Sequence, residues 1–202
     1  RFILAIDAPI SDYDRYGEIE PLIEEANQNI PDFIAGVKHE KDWGHFRFAS
    51  ILRNVNYIYN GEESSFTGYG FSFSGKLMKD KNNFQYQFTG GEGIAAYITS
   101  VAGFGYDGYP TTNGEINATP SYGGWASYEY YWTPKIHSNF VLGATRFQTD
   151  DVQRLILSNE NNNDVVVGRG DVDHKHTYGI VNIMYDPFER MTFGVELDYG
   201  TK

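Results

Sequence analysis

Apolar and polar side chains alternate along much of the chain. From Tyr69 to Leu77 the odd-numbered positions are Tyr, Phe, Phe, Gly and Leu, whereas the even-numbered positions are Gly, Ser, Ser and Lys. The stretch from Met191 to Tyr199 repeats this pattern, with Met, Phe, Val, Leu and Tyr alternating with Thr, Gly, Glu and Asp. Because a β-strand sends successive side chains to opposite faces, each stretch predicts a strand with one apolar and one polar face.

Alternation of this kind predicts nine strands, at residues 1–8, 32–40, 44–59, 66–79, 83–98, 122–132, 136–149, 174–185 and 190–202. The connections between them alternate in length. Short turns are expected at 41–43, 80–82, 133–135 and 186–189, and longer connections at 9–31, 60–65, 99–121 and 150–173. Within the first of the longer connections, residues 20–28 carry Leu22, Ile23 and Ala26 at helical spacing, which predicts one short helix.

The alternating connection lengths indicate an antiparallel up-and-down β-barrel that crosses a membrane. Such barrels have short turns at one end and longer loops at the other, and their strands need about 9–11 residues to cross the hydrocarbon layer. Aromatic residues also gather near both strand ends, as the two girdles of a membrane barrel would require. The predicted girdle residues are Trp43, Phe46, Tyr131, Trp132, Tyr185 and Phe188 near the short turns, and Tyr57, Tyr59, Phe66, Tyr69, Tyr122 and Trp125 near the longer loops.

Composition narrows the function classes. The 202 residues include 16 Tyr, 14 Phe and 22 Gly, which suits sheet surfaces and their bends, and no Cys, which excludes disulfides and thiolate metal sites. The net charge of −11 argues against a nucleic-acid partner, whose binding surface would be basic. No apolar run approaches the roughly 20 residues of a membrane helix. We therefore expect residues 1–202 to form a single β-barrel domain, incomplete at both ends.

The predicted inward face carries four cations on neighbouring strands, namely Lys38, Arg47, Arg53 and Lys76. Rings or ladders of Arg and Lys in a pore favour the passage of anions, so these residues are candidates for selectivity. The alternatives are that they pair with Glu40, Glu129 or Glu196 across the lumen, or that they hold a loop in place. The predicted pore-lining residues are Lys38, Arg47, Arg53, Lys76, Gln85, Gln87, Glu129 and Glu196.

The strand phase meets three exceptions. Continuing the strand at 83–98 would place Glu92 on the lipid face, so the stretch Gly90 to Gly93 predicts a bulge, a kink or a position outside the bilayer. Arg146 falls on the same unfavourable face. Ile51 shares its parity with Arg47, which indicates either a partly apolar lumen or one slip of phase.

Catalysis and metal binding receive little support. His137 and Ser138 are adjacent in a predicted strand, so their side chains point to opposite faces, although a nucleophile needs its base within hydrogen-bond reach. His174 and His176 could share one face, but a polar loop edge is the commoner meaning of that spacing. We therefore predict a protein that is not an enzyme and has no cofactor and no metal.

Several short motifs resemble those of DcaP-like outer-membrane porins. They are Ile30-Pro31-Asp32-Phe33-Ile34-Ala35 followed by Asp42-Trp43-Gly44-His45-Phe46, the turn Trp132-Thr133-Pro134-Lys135, and Asn182-Ile183-Met184-Tyr185-Asp186-Pro187 followed by Phe193-Gly194-Val195-Glu196-Leu197-Asp198-Tyr199-Gly200. The resemblance implies a homotrimer of barrels of about 16 strands each, so strands are expected beyond both ends. It also implies the outer membrane of a Gram-negative bacterium, with outer-membrane lipid and lipopolysaccharide as neighbours, and transport of ions and small, often anionic, solutes.

Two functions remain open at this point. The first is a porin for passive diffusion of small solutes. The second is a soluble secreted all-β protein that binds a ligand or glycan, in which the same alternation would place the apolar face inside. The side on which Phe73 and Lys76 lie separates the two, because a porin needs Phe73 against lipid and Lys76 against water.

Overall fold

The computed structural model describes residues 1–10, 23–59, 61–98, 102–103, 105–110, 115–149, 155–158, 164–167 and 172–201. The first strands in chain order are β1 (Phe2–Asp7), β2 (Ile23–Glu25), β3 (Asp32–Lys41), β4 (Gly44–Tyr59), β5 (Glu62–Lys79) and β6 (Asn82–Glu92). A 3-10 helix, Ala95–Tyr97, follows β6. The remaining strands are β7 (Gly108–Pro110), β8 (Ile116–Ala118), β9 (Pro120–Thr133), β10 (Ile136–Thr149), β11 (Leu155–Ser158), β12 (Asp164–Val167), β13 (Val172–Phe188) and β14 (Met191–Thr201).

Ten of these strands form one antiparallel sheet. Nine follow one another in the order β1-β3-β4-β5-β6-β9-β10-β13-β14, and the tenth, β2, pairs with the end of β4. Each strand pairs with the next long strand along the chain, which is the up-and-down arrangement predicted from the sequence. The longest, β5, has 18 residues and β13 has 17, well above the usual length of about 5–6 in soluble proteins. Two small hairpins, β7-β8 and β11-β12, lie outside the main sheet.

Four two-residue turns join the strands at one end of the sheet. They connect β3 to β4, β5 to β6, β9 to β10, and β13 to β14, as predicted, and Asp80 and Arg190 adopt positive φ angles of 57° and 69° in two of them. At the end of the sheet opposite these turns, the prediction of a loop at 60–65 is wrong. Strands β4 and β5 pair as far as Tyr59 and Glu62, because Gly61, at φ 81°, permits a tight turn after Asn60.

The short helix predicted at 20–28 is also wrong where the structure describes it. Ile23–Glu25 is a strand that pairs antiparallel with Tyr57–Tyr59 at the end of β4. Ile23 is buried beneath the sheet, so burial of one apolar side chain and pairing with an available strand edge outweigh weak helical spacing. Residues 20–22 lie outside the described part. Within the described residues, no helix is long and apolar enough to span a membrane.

Strand β6 ends six residues earlier than predicted. It stops at Glu92, Gly93 takes a φ angle of 66°, and the 3-10 helix begins two residues later. The break expected at Gly90 to Gly93 is therefore a strand end. Glu92 lies in the last pair of the ladder, opposite Tyr69, at the end of the sheet away from the short turns.

The register divides the sheet into two faces. The outer face carries Phe73, which pairs with Phe48 on one side and Phe88 on the other, and all three rings are exposed. We call the opposite face, which carries Lys76, the inner face. Buried apolar clusters lie on the inner face, so the phenyl rings of the outer face are not in a dry centre.

The predicted aromatic girdles are corrected in part by these faces. Trp43, Tyr69, Tyr122, Trp132 and Tyr185 are exposed, as a girdle requires. Tyr57 and Phe66 instead pack together in a buried cluster on the inner face. Tyr131 stacks on His137 and Trp125 pairs with Gln87, so both belong to the inner face as well.

Candidate functional site

All eight predicted pore-lining residues lie on the inner face. One row of paired residues crosses the sheet from Lys38 through Arg47, Ser74 and Gln87 to Trp125. The row next to it on the same face pairs Lys76 with Gln85, while Glu129 pairs with Asn83 and Glu196 with Asn182. The register therefore brings the predicted set together on one surface, with the cations on β3 to β5 and the two acids on β9 and β14.

Three of the four cations have accessible side chains. Lys38 forms an ion pair of 3.0 Å with Glu40, the neighbouring residue on the same face, and its side chain is 26% exposed. Arg47 is exposed and Lys76 is partly exposed. Glu40 thus balances the charge of Lys38, as one of the alternatives foresaw, and a solute moving along the inner face would meet the charges of Arg47 and Lys76.

Arg53 behaves differently from the other three. Its side chain is fully buried, and its Nη1 donates to Asp107 Oδ2 at 2.8 Å and to the Gly93 carbonyl at 3.1 Å. The Nε atom lies 3.3 Å from Asp32 Oδ2, and Nη2 donates to the Ile10 carbonyl. Arg53 therefore cannot contact a solute in this structure, and it performs the alternative role of holding a loop.

The loop that Arg53 holds connects β6 to β9. We call residues 93–119 the inner loop; its described parts are 93–98, 102–103, 105–110 and 115–119. Asp107 links Arg53 to the loop backbone, because its Oδ1 accepts the amide hydrogen of Ala96 at 2.9 Å and its carbonyl accepts that of Thr119 at 3.0 Å. A buried carboxylate paired with a guanidinium and a backbone amide is a strong anchor, since neither charge is left without a partner.

Tyr97 ties the inner loop to a second carboxylate. Its hydroxyl donates to Asp32 Oδ2 at 2.6 Å, and the guanidinium carbon of Arg53 lies 5.3 Å from the centre of its ring. Burial, followed by the hydrogen bond to Asp32, raises the pKa of the Tyr97 phenol. We call Asp32, Arg53, Tyr97 and Asp107 the loop clamp.

Two apolar clusters fix the inner loop to the wall. Ile116 packs against the first cluster, formed with Ile23, Val55, Tyr57 and Phe66. The second cluster contains Ile94, Ala95, Ile98 and Phe147, with Tyr106 stacked on Phe147 at 4.2 Å between ring centres. The partly apolar inner face predicted from Ile51 is therefore present, and it is the surface on which the loop rests.

Glycines in β5 provide the space for this packing. A Cβ atom added to Gly68 would lie 2.7 Å from Cγ of Arg53, and one added to Gly70 would lie 2.6 Å from Cδ1 of Ile94. Both distances are far below van der Waals contact. The two glycines therefore let the clamp and the loop approach the backbone of the wall.

The acidic residues belong to a polar network near the short turns. Glu129 accepts a hydrogen bond from Asn83 and lies 3.8 Å from His137 Nε2. Glu196 accepts from Asn182 at 2.9 Å, and Asn182 in turn accepts from the amide of Asn139. Glu129 and Glu196 thus bind neutral wall residues and a histidine rather than the cations foreseen as their partners, whereas Glu40 does pair with Lys38.

The remaining histidine patterns give no reactive arrangement. His137 lies on the inner face, whereas Ser138 accepts a hydrogen bond from the indole of Trp132, as their expected opposite orientation requires. His174 stacks on Phe147 with 4.7 Å between ring centres. Among the described residues no group of three or more His, Cys, Asp or Glu is arranged to hold a metal ion.

Sequence reasoning missed the partners of Arg53 and two aromatic residues of the inner face. Asp107 is 54 residues from Arg53, and nothing in its Gly- and Tyr-rich surroundings indicates a contact at that separation. Trp125 and Tyr178 could have been found, because Trp125 alternates with outward residues in the same strand and Tyr178 has the parity of Asn182.

Comparison with known proteins identifies the fold. No protein-family model matches the sequence, and no curated protein matches it. The chain is similar in structure to the outer membrane channel DcaP of Acinetobacter baumannii, with a TM-score of 0.68 and 14% sequence identity. The alignment covers 98% of this chain and 51% of the channel chain, so this chain spans about half of the channel's length. The expected resemblance and the antiparallel porin-type barrel fold are thus confirmed.

Proposed function

We propose that this chain forms part of the wall of an outer-membrane channel through which small solutes diffuse passively. The observation that carries the proposal is the division between the two faces. Phe73 and its row are exposed on the outer face, while Arg47, Lys76 and the inner loop lie on the inner face. An apolar outside with a polar inside is the arrangement of a membrane barrel and the reverse of a soluble one.

The extent of the outer apolar surface supports a position in the lipid of a Gram-negative outer membrane. Exposed side chains continue from Phe2 and Leu4 on β1 to Phe193, Val195 and Leu197 on β14. Soluble monomers rarely expose apolar patches larger than a few hundred Å². The soluble ligand- or glycan-binding alternative leaves this surface without a cover, whereas lipid, lipopolysaccharide and the neighbouring barrels of a homotrimer would cover it.

The exposed cations supply a mechanism for a preference for anions. Arg47 on β4 and Lys76 on β5 lie in neighbouring rows, whereas the charge of Lys38, opposite Arg47 on β3, is balanced by Glu40. Fixed positive charge beside a narrow aqueous path lowers the energy of a nearby anion and raises that of a cation. Arg53 is excluded from this set because two carboxylates surround it.

The membrane part of the proposal is tested on the natural protein with all of its chain. We expect extraction from membranes only with detergent, and a gel mobility that changes on heating as the barrel unfolds. A protein that stays monomeric in plain buffer would contradict the proposal and favour the soluble alternative.

The selectivity part is tested by reversal potentials in a planar bilayer under a salt gradient. We expect Arg47→Ala combined with Lys76→Ala to shift the reversal potential away from the value of an anion-selective channel. The shift should be larger at low salt, because fewer ions then screen the fixed charges. Lys79→Ala is the matched control, since Lys79 pairs with Asn82 beside a short turn and has the parity of the outer face. Equal shifts for the control and the double variant would remove the selectivity claim.

A further inference from the structure

We propose that the inner face carries a binding subsite for a neutral, polyhydroxylated solute of the size of a mono- or disaccharide. The subsite is a cavity of about 300 Å³ between the 3-10 helix of the inner loop and strands β6, β9, β10 and β13. This volume is at the lower end of the range of about 300–1,000 Å³ for small-molecule sites. The inference rests on the proposed channel function, since it assigns a solute class to that channel.

Two aromatic rings form the wall side of the cavity. Trp125 and Tyr178 belong to the same row of the inner face, separated by Gly143. A Cβ atom at Gly143 would lie 2.3 Å from two ring carbons of Tyr178, so the tyrosine ring lies directly over the glycine. The residue Tyr178 is 41% exposed and lines the cavity, which leaves it accessible to a ligand.

Uncharged polar groups surround the rings. Gln87 and Thr89 line the cavity from β6, and the Gln87 amide lies 3.4 Å from the Thr89 hydroxyl, which in turn donates to Ser72 at 3.1 Å. Thr145 lines it from β10, and Tyr97 contributes its ring from the loop while its hydroxyl is engaged with Asp32. Amides and hydroxyls can both donate and accept, so they match the hydroxyl groups of a sugar.

The charge pattern separates a sugar from an organic anion. None of the described residues that line this cavity carries a charged side chain. Arg47 lies in the same row as Trp125 but three strands away, about 14 Å at the usual strand spacing. A pyranose presents an apolar C–H face to an aromatic ring and its hydroxyls at the rim, and this combination suits rings flanked by an amide and two threonines.

The test is the block of ionic current through the intact channel in a planar bilayer, with glucose and maltose as probes. We expect a saturable reduction of the wild-type current, and a dissociation constant about tenfold weaker in Trp125→Ala. Gln87→Leu, which nearly preserves volume, is expected to weaken the block in the same direction. Trp132→Ala is the matched control, because Trp132 is on the same strand but 57% exposed beside a short turn, and its block should equal that of the wild type.

Other outcomes separate this inference from the channel function. If the reduction of current grew in simple proportion to sugar concentration, as with a polyethylene glycol of similar size, the subsite would be overturned. The conductance itself would still support the channel in that case. A tighter, Trp125-dependent block by sodium benzoate would overturn the neutral solute class. Absence of any conductance in the wild type would overturn the proposed function and the subsite together.

Discussion

Replacing Arg53 with methionine should release the inner loop from the wall. The substitution keeps an unbranched side chain of similar reach and removes the guanidinium that joins Asp32, Asp107, and the Gly93 carbonyl. Both carboxylates are then buried without their counter-charge. Removing one partner of a buried ion pair costs about 3–5 kcal/mol, because the remaining charge is left uncompensated.

A loss of about 4 kcal/mol corresponds to a factor of roughly 1,000 in an equilibrium constant. Loops usually open locally at free energies well below that of global unfolding. We therefore expect the inner loop of Arg53→Met to leave the wall while the sheet, which is paired through its backbone, remains assembled. The attraction between two opposite charges depends on the distance between them and does not require good hydrogen-bond alignment. The contact of 3.3 Å between Arg53 Nε and Asp32 Oδ2 therefore contributes to this cost.

Two measurements report the release in the intact channel. Chymotrypsin should cleave the detergent-solubilised protein faster after Tyr97 or Tyr106, and single-channel conductance in a planar bilayer should rise as the loop leaves the inner face. The control for cleavage is Arg47→Met, which makes the same substitution on the same strand and face at an exposed position. Conductance is compared with Lys79→Met instead, because Lys79 has the parity of the outer face and is not among the cations proposed to line the path. The heat-dependent gel shift should change little in either variant.

A triple variant tests whether uncompensated charge is the cause of the release. Adding Asp32→Asn and Asp107→Asn to Arg53→Met should restore part of the loop protection, because no uncompensated charge would remain in the buried site. If Arg53→Met matched Arg47→Met in cleavage rate and Lys79→Met in conductance, the clamp would not hold the loop, and the reasoning would be refuted.

Three other substitutions test different parts of the structure. Phe73→Lys should destabilise the barrel by about 2–4 kcal/mol through the cost of a charge in lipid, whereas Ser74→Lys, on the opposite face, should be nearly neutral; the temperature of the gel-mobility shift compares them, and equal effects would contradict the face assignment. Gly70→Val should push the inner loop away because its Cβ has no room, and unchanged chymotrypsin cleavage would count against this packing. Tyr97→Phe should weaken loop protection by about 1–3 kcal/mol at neutral pH. Because the pKa of Tyr97 is raised above its usual 10, its contribution to loop stability is complete below about pH 10 and is lost at higher pH as the phenol ionises. If Tyr97→Phe left loop protection unchanged at neutral pH, Tyr97 would be excluded from the clamp.

The sheet could be predicted from the sequence because its strands are amphipathic. Period-two alternation fixes the face of a side chain without any knowledge of its neighbours, and β10, for example, has the bounds expected for it, Ile136–Thr149. The prediction failed at the start of β5, because the residues from Glu62 to Ser65 are all polar and show no alternation, although they belong to the strand.

The clamp could not be predicted in the same way. Parity places Arg53 on the inner face, yet it does not distinguish a cation in water from one buried under a loop. That distinction depends on Asp32 and Asp107, whose positions follow from tertiary packing. Likewise, Ile23 has weak helical spacing, and only the free edge at Tyr57–Tyr59 makes a strand the better solution.

The long sequence separations within the clamp constrain the order in which the molecule assembles. Arg53 on β4 must meet Asp32 on the preceding strand and Asp107 beyond β6, so the four adjacent strands β3 to β6 have to be in place before the buried contact can form. Contacts between distant segments form late, because the chain entropy of closing the intervening stretches is lost first. The docking of the inner loop on the wall would thus be the last step of folding, after the sheet beneath it has formed.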